Sequence, residues 1–199
     1  MATLTMPSTS GLVSSRFGLL SNTQTFESPL TRTVQTLELV GARWRGDYVL
    51  APMLRAAASE WQSFLVSLQG RAGRFYGFDP DAKTPRGTWA GTALVNGASQ
   101  TGLSLILDGF TPSATVKVGD YFTVNGELKM ISADGTADGS GNLTVSFNPS
   151  LRAAPANDAA ITSTNPTCTM MLIDDDQAMW DADNISVFGL RFSGIEVFT

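Results

Sequence analysis

Carboxylates are the side chains in this sequence whose type and spacing come nearest to supporting chemistry. Residues 174–176 are all aspartate, and Asp181 and Asp183 follow close to Trp180. Grouped carboxylates can hold Mg²⁺, and a facing pair can cleave a glycosidic bond. This spacing matches no such pattern, and nothing places a second carboxylate opposite the first. The group therefore indicates a polar connection between strands, with hydrolysis as the weaker alternative.

A second acidic segment comes close to a calcium-binding loop. Asp134, Asp138 and Gly139 stand where an EF-hand loop needs them, but Thr136 is a poor third ligand. Val145 occupies the position that requires a bidentate glutamate. A Gly/Asp-rich hairpin loop explains the segment more simply, and an ion in residues 134–142 stays open.

The composition excludes most other catalytic chemistry. The chain has no histidine, which removes Ser–His and Cys–His nucleophile pairs and His-ligated metals. Its single cysteine excludes an intramolecular disulfide framework and Cys-rich metal sites. We therefore expect no enzyme activity, no cofactor and no metal.

The charge content favours a chain that is covered by other protein. Charged residues make up 16% of the 199, against about 25% in a usual soluble domain. Interface centres are depleted in charge in the same way. The net charge of −5 argues against a general nucleic-acid binder. Residues 1–90 carry nine basic and six acidic residues, whereas residues 91–199 carry four and twelve, an asymmetry that can orient neighbouring subunits.

No segment looks suited to a membrane or to secretion. The longest apolar runs fall short of the ~20 residues of a membrane span, and residues 1–11 are uncharged and only weakly apolar. We expect synthesis in a cytoplasm and no membrane insertion.

One strong amphipathic helix is predicted over residues 52–69. Its apolar residues fall at i, i+3, i+4 and i+7 spacing, Pro52 suits a first turn, and Gly70 suits a C-terminal cap. We expect this helix to pack on a sheet that contains residues 185–198. The apolar face consists of Leu54, Ala57, Ala58, Trp61, Phe64, Leu65 and Leu68.

The rest of the chain predicts strands. Residues 31–40 alternate in the manner of a strand, and residues 44–50 could pair with them through a turn at Arg45-Gly46-Asp47. Asn125-Gly126 between two apolar segments is the clearest hairpin signal.

Composition changes sharply at two points along the chain. From Gly87 onward, Gly, Ser, Thr, Asn and Asp dominate, and apolar density returns after residue 176. We therefore predict a mainly β fold with a minor helical part. Residues 1–86 together with 172–199 are predicted to form a belt-like β-sandwich domain with one helix. Residues 87–171 are predicted to form an all-β barrel or sandwich domain that is inserted into it.

Residues 71–78 interleave arginines with aromatics. This mixture is typical of single-strand nucleic-acid binding, but it equally fits a strand whose rings face the core and whose arginines face a protein partner. We favour the second interpretation because the chain is acidic overall. The candidate subunit interface consists of Trp44, Arg45, Arg71, Arg74, Phe75, Tyr76 and Phe78.

Several short blocks resemble distal tail proteins of bacteriophages with long, non-contractile tails (siphophages). The blocks are FLVSLQGRAGRF at 64–75, FDP at 78–80, TPRG at 84–87, GDYFTVNGEL at 119–128, TADGSGN at 136–142 and RAAP at 152–155.

The resemblance implies a structural role in the virion, at the tail tip. Distal tail proteins form a hexameric ring that joins the tail tube protein to the baseplate hub protein, with a belt domain and a peripheral β domain. Here the peripheral module is inserted before the final strands, which leaves the exact ring position open. The resemblance implies no nucleic-acid specificity.

Two alternatives remain. The chain could be a different tail-tip protein, or a carbohydrate- or receptor-binding β module in which Trp89, Tyr121 and Phe122 stack on sugar.

Overall fold

The computed structural model describes residues 3–8, 11–182 and 187–198. These residues form eighteen strands, one α-helix and one short 3₁₀ turn. The first part of the chain contains β1 (Thr3–Thr5), β2 (Leu12–Leu20), β3 (Thr23–Glu27), β4 (Val34–Glu38), β5 (Arg43–Leu50), β6 (Met53–Leu54), α1 (Arg55–Ser67), the 3₁₀ turn (Gly70–Ala72) and β7 (Arg74–Gly77). The middle part contains β8 (Gly91–Val95), β9 (Ser104–Phe110), β10 (Thr115–Val116), β11 (Tyr121–Val124), β12 (Glu127–Ile131), β13 (Gly135–Thr136), β14 (Leu143–Asn148) and β15 (Ile161–Thr162). The last part contains β16 (Cys168–Leu172), β17 (Trp180–Ala182) and β18 (Val187–Glu196).

The strands form a large sheet and a small sheet, each with its own core. The large sheet has the order β1-β7-β16-β18-β5-β2, with β6 and β17 added to β18. The small sheet has the order β15-β11-β12-β14-β9-β8, and β10 pairs with β13 beside it. One buried cluster centres on Trp61 and Phe192 and a second on Phe122 and Phe147. The prediction of a mainly β chain with one helix is confirmed.

Helix α1 lies against the large sheet, as its pattern predicts. Trp61 and Phe64 contact Phe192 of β18, with ring centroids 6.0 and 6.2 Å apart. The helix is shorter than predicted, because residues up to Leu54 are extended and Leu54 is 68% exposed. The chain leaves the helix at Gln69, whose φ of 51° is left-handed, one residue before the predicted cap Gly70. Gly70, with a φ of 64°, instead begins the 3₁₀ turn.

The hairpin predicted at Asn125-Gly126 is confirmed. It joins β11 to β12, and Val124 pairs with Glu127. Both turn residues have positive φ, 50° and 77°, as a two-residue turn of the type favoured in hairpins requires.

The strand β5 corrects two expectations. It continues without a turn through Arg45-Gly46-Asp47, and Gly46 is needed there because a Cβ would lie 2.6 Å from the Tyr48 hydroxyl. Its neighbours are β2 and β18, whereas β4 pairs with β3.

The small-sheet unit is inserted between two neighbouring strands of the large sheet. Gly77 of β7 pairs with Cys168 of β16. Just beyond them, the Asn165 amide donates to the Lys83 carbonyl over 2.7 Å, so the two connections run side by side. The sequence predicts an insert that ends at residue 171. In the structure the insert ends before Cys168, because Cys168–Leu172 is a strand of the large sheet.

The two faces of the large sheet differ. On one face, Phe75 and Phe192 pack beneath α1, and Trp44 and Phe17 pack against Tyr121 of β11. On the other, Arg16, Arg45, Val49 and Arg191 are exposed. We call this second face the open face.

Candidate assembly surfaces

A hairpin of β3 and β4 projects from the large-sheet unit. Within the described chain these strands pair only with each other, and every residue in both is exposed. Residues 23–38, which we call the arm, end in a tip where Leu30 is 93% exposed and Arg32 pairs with Glu27. An isolated two-stranded hairpin is marginally stable in water. A hairpin with this much exposed apolar surface is therefore a candidate for contact with another protein.

The two largest apolar residues in the strands of the arm share one face, whereas the smaller Val34 lies on the other. Phe26 pairs with Gln35, and Gln24 with Leu37, so Phe26 and Leu37 share a face. They are 60% and 53% exposed. Sequence analysis missed these two residues, although alternation in 23–27 and 34–38 around a Ser-Pro turn carried the signal.

Two of the predicted interface residues lie in the core. Trp44 is 2% exposed, and its indole Nε1 donates to the Leu128 carbonyl over 2.8 Å. Phe75 is completely buried and packs edge-on against Phe64 and Phe192. Neither side chain is available to a neighbouring subunit, because both fill space between elements of this chain.

Arg71 and Arg74 lie at the end of the 3₁₀ turn and differ in their contacts. The Arg74 guanidinium Nη1 donates to the carbonyls of Arg71, Ala72 and Gly73 over 2.9 to 3.1 Å. The Arg71 side chain is exposed, and the hydrogen bonds of this residue are made by its backbone: the carbonyl accepts from Arg74, and the amide donates to Asp175 Oδ1. Arg71 is therefore available to a partner, whereas Arg74 holds its own turn together.

The other predicted interface residues are spread over two strands and the segment that follows β7. Arg45 lies on the open face and pairs with Asp47 over 3.1 Å. Tyr76 is 41% exposed on β7. Phe78 is half-buried, with the Lys83 ammonium 4.8 Å from its ring centroid. The structure thus does not bring the seven residues together into one patch.

The contact between the two units is polar at its centre. Glu196 of β18 accepts from the Trp44 backbone amide over 3.0 Å. Lys129 of β12 is buried and pairs with Glu127 over 2.7 Å. We call the buried contact formed by Trp44, Glu127, Leu128, Lys129, Arg152 and Glu196 the junction.

Burial changes the acidity of the junction. Burial raises the pKa of Glu196 to about 7, although the Trp44 amide and the Lys129 and Arg152 charges act to lower it. Burial also lowers the pKa of Lys129, against the opposing effect of its partner Glu127. A carboxyl group that titrates near neutral pH therefore lies where the two units meet.

The acidic segments make mostly structural contacts. Asp138 Oδ1 accepts from the amides of Ser140 and Asn142, and these backbone hydrogen bonds lower the pKa of Asp138. Asp134 accepts from the Lys117 ammonium and the Val118 amide. Within residues 3–8, 11–182 and 187–198, no three His, Cys, Asp or Glu side chains are grouped to hold a metal. Asp183, named above beside Trp180, lies outside the described residues, as does Ile185 of the predicted sheet.

The aromatics considered for sugar stacking are occupied inside the protein. Trp89 is 7% exposed and donates from Nε1 to Asp120, and Phe122 is fully buried. Tyr121 packs edge-on against Trp44 at the contact between the units. These rings offer no stacking platform on the surface.

Comparison with known proteins adds no identification. No protein-family model matches the chain, and no curated protein matches it. In the described part of the chain, the one α-helix is too short and too polar to cross a membrane.

Proposed function

We propose that this chain is a non-enzymatic structural subunit of a bacteriophage tail tip. In this proposal it is a distal tail protein that forms a sixfold ring in the virion, between the tail tube protein and the baseplate hub protein. The short sequence blocks that resemble siphophage distal tail proteins support it. A large sheet backed by one helix, with a second β unit attached, is compatible with the belt and peripheral domains that the resemblance implies.

The observation that carries the proposal is the arm. A closed ring needs two different patches on each subunit, so that one copy's first patch meets its neighbour's second. The arm supplies one such patch, because Phe26 and Leu37 leave apolar surface in water on strands that pair only with each other in the described chain. Burying the exposed part of these two side chains, a little over half of each, in a neighbour would contribute about 1–2 kcal/mol each.

The test compares the two faces of the arm. A Phe26→Ser/Leu37→Ser variant removes the apolar face, and a Thr25→Ser/Thr36→Ser variant makes two changes at a directly opposed pair on the other face. Native mass spectrometry and light scattering report the assembly of each chain. We expect wild type and the threonine variant to form rings, and the Phe26/Leu37 variant to stay monomeric. At a concentration where both chains are monomeric, its melting temperature should match the wild type, because these side chains lie outside both core clusters.

Two results would contradict the proposal. If wild-type chain remains monomeric at high concentration and in the presence of its tail partners, the ring is wrong. If the Phe26/Leu37 variant assembles as wild type does, the arm is not the contact.

A further inference from the structure

Four arginines from three strands lie on the open face of the large sheet. Arg16 is on β2, Arg43 and Arg45 are on β5, and Arg191 is on β18, and all four are exposed. Strand register places them on one side, because Arg16 pairs with Asp47 and Arg191 pairs with Val49. Asp47 and Val49 alternate with the buried Trp44, Tyr48 and Leu50, which point to the other face.

The four arginines form a staggered row along β5, because Arg191 lies on β18 and Arg16 on β2, on opposite sides of β5. Along β5, Arg191 lies level with Val49 and Arg16 level with Asp47, and Arg45 and Arg43 follow on β5 itself. One arginine therefore occurs at every second position of the strand. Two residues of a strand span about 7 Å, so the row extends over about 20 Å. Such a row fits a linear polymer whose negative charges recur at short intervals better than it fits a single small anion.

Most of these charges are not neutralised within the described chain. No described carboxylate lies within 4.0 Å of the guanidinium groups of Arg16, Arg43 or Arg191, and only Arg45 has a partner, Asp47. Burial alone would raise the pKa of Asp47, but hydrogen bonds from Ser193 and Arg45 and the charges of Arg45 and Arg16 lower it. Asp47 is therefore a partner that the arginines already hold ionised.

The surface between the arginines is open to a ligand. A hollow of about 250 Å³ lies between Arg16 and Arg45, over Gly18. A Cβ placed on Gly18 would meet no atom within 4 Å, so the glycine leaves space at this point. Arg191 also lines a groove of about 640 Å³ together with Asp47, Asp176 and Asp181. The charges of these aspartates would repel an anionic polymer and so exclude it from the groove.

We propose that the row of Arg16, Arg43, Arg45 and Arg191 binds the phosphate backbone of a nucleic-acid strand without reading its sequence. Arginine is suited to this role because its planar guanidinium binds phosphate through two parallel hydrogen bonds. Contacts to phosphate carry no sequence information, so the proposed binding is non-specific. It departs from the expectation, drawn from the net charge, that the chain is not a general nucleic-acid binder. The net charge of −5 gives no sign of this surface, because the excess of acidic residues lies in residues 91–199, whereas three of the four arginines lie in residues 1–90. The proposal goes beyond ring assembly and does not depend on it.

The test measures binding of the full chain to a fluorescein-labelled oligothymidine by anisotropy. Each phosphate contact on a single strand contributes about 0.7 to the slope of log affinity against log salt. Three to four contacts predict an affinity that falls about 20- to 50-fold between about 50 and 200 mM salt. Removing one contact by Arg16→Gln or Arg43→Gln should make this fold-change in affinity between the two salt concentrations about 2.6-fold smaller. It should also weaken binding at low salt.

Arg55→Gln is the matched control. Arg55 is equally exposed but begins α1, which covers the opposite face of the sheet. We expect this variant to bind as wild type does, and all three variants to keep the wild-type melting temperature.

Three outcomes would overturn the proposal. The first is wild-type chain that does not bind oligothymidine even at the lowest salt concentration. The second is an Arg55→Gln variant that weakens binding as much as Arg16→Gln does. The third is polyglutamate that binds more tightly than oligothymidine and with the same dependence on Arg16, which would assign the row to an acidic protein surface. None of these results bears on the arm, so failure here is distinguishable from failure of the ring.

Discussion

Replacing Glu196 by glutamine tests whether the buried Glu196 carboxyl group lowers the free energy of unfolding by an amount that depends on pH. The amide oxygen of the new side chain can still accept from the Trp44 backbone amide, as the Glu196 carboxylate does over 3.0 Å. The substitution therefore keeps shape and hydrogen bond and removes only the charge. Any change with pH in the stability difference between this variant and wild type then reports the ionisation of Glu196.

The expected magnitude follows from the raised pKa. The ordinary pKa of a glutamate is 4.5, and burial raises that of Glu196 to about 7 in the folded chain. Below that ordinary pKa the group is protonated in both the folded and unfolded states and costs nothing. Between the two pKa values only the unfolded state ionises, so folded wild type loses stability as pH rises. At about 1.36 kcal/mol per pH unit the loss reaches about 3 kcal/mol by about pH 8.

Urea unfolding followed by tryptophan fluorescence, at several pH values and at a concentration where the chain is monomeric, measures this difference. We expect Glu196→Gln to match wild type near about pH 4 and to exceed it by about 3 kcal/mol at about pH 8, or by about 6–12 °C in melting temperature. Glu38→Gln, on the exposed arm, is the control for losing a carboxylate and should show no such trend. If the difference in free energy of unfolding between Glu196→Gln and wild type is the same at about pH 4 and at about pH 8, the reasoning is refuted.

Three further changes test the packing and the surface. Trp61→Ala should lower the free energy of unfolding by about 3–5 kcal/mol, because this side chain is buried. Trp61→Phe should lower it much less, because the indole N–H has no acceptor among the described residues. A loss below about 1 kcal/mol for alanine would contradict packing of Trp61 in the core. A chain in which a short glycine linker replaces residues 84–164 should still unfold cooperatively when followed by circular dichroism. Its melting temperature should be lower, because Trp44 loses the Leu128 carbonyl as a hydrogen-bond acceptor. A non-cooperative melt would show that the large sheet needs the insert to fold. Arg71→Glu should weaken ring assembly in light scattering and leave the melting temperature unchanged, whereas unaltered assembly would place the ring contact elsewhere.

The fold class and its strongest local signals could be predicted from the sequence. The period of residues 52–69 identified the helix, and its buried face was right for Ala58, Trp61 and Leu65. Asn-Gly at 125–126 identified a hairpin because few other dipeptides accept positive φ at both positions. These signals are local, so the sequence carries them without reference to the rest of the chain.

Pairing between distant strands could not be predicted in the same way. Arg45-Gly46-Asp47 has turn composition, yet Gly46 sits inside a strand because Tyr48 needs the space above it. Phe75 and Trp44 have the composition of an interface, yet other elements of the same chain cover them. The arginine row combines β2, β5 and β18, and only their register shows that four separate side chains share one face.

The place where the small-sheet unit enters the large sheet constrains the order in which the chain can fold. Pairing β7 with β16 joins residues that are 91 positions apart, from Gly77 to Cys168. Closing so long a loop from an unfolded chain costs about 3 kcal/mol more than closing a tight hairpin. If the small-sheet unit folds first, it holds Lys83 and Asn165 side by side, and the remaining step is as short as a hairpin turn. A nascent chain would then complete its inserted part before its outer sheet, and β16 and β18, which leave the ribosome after the insert, would close the large sheet.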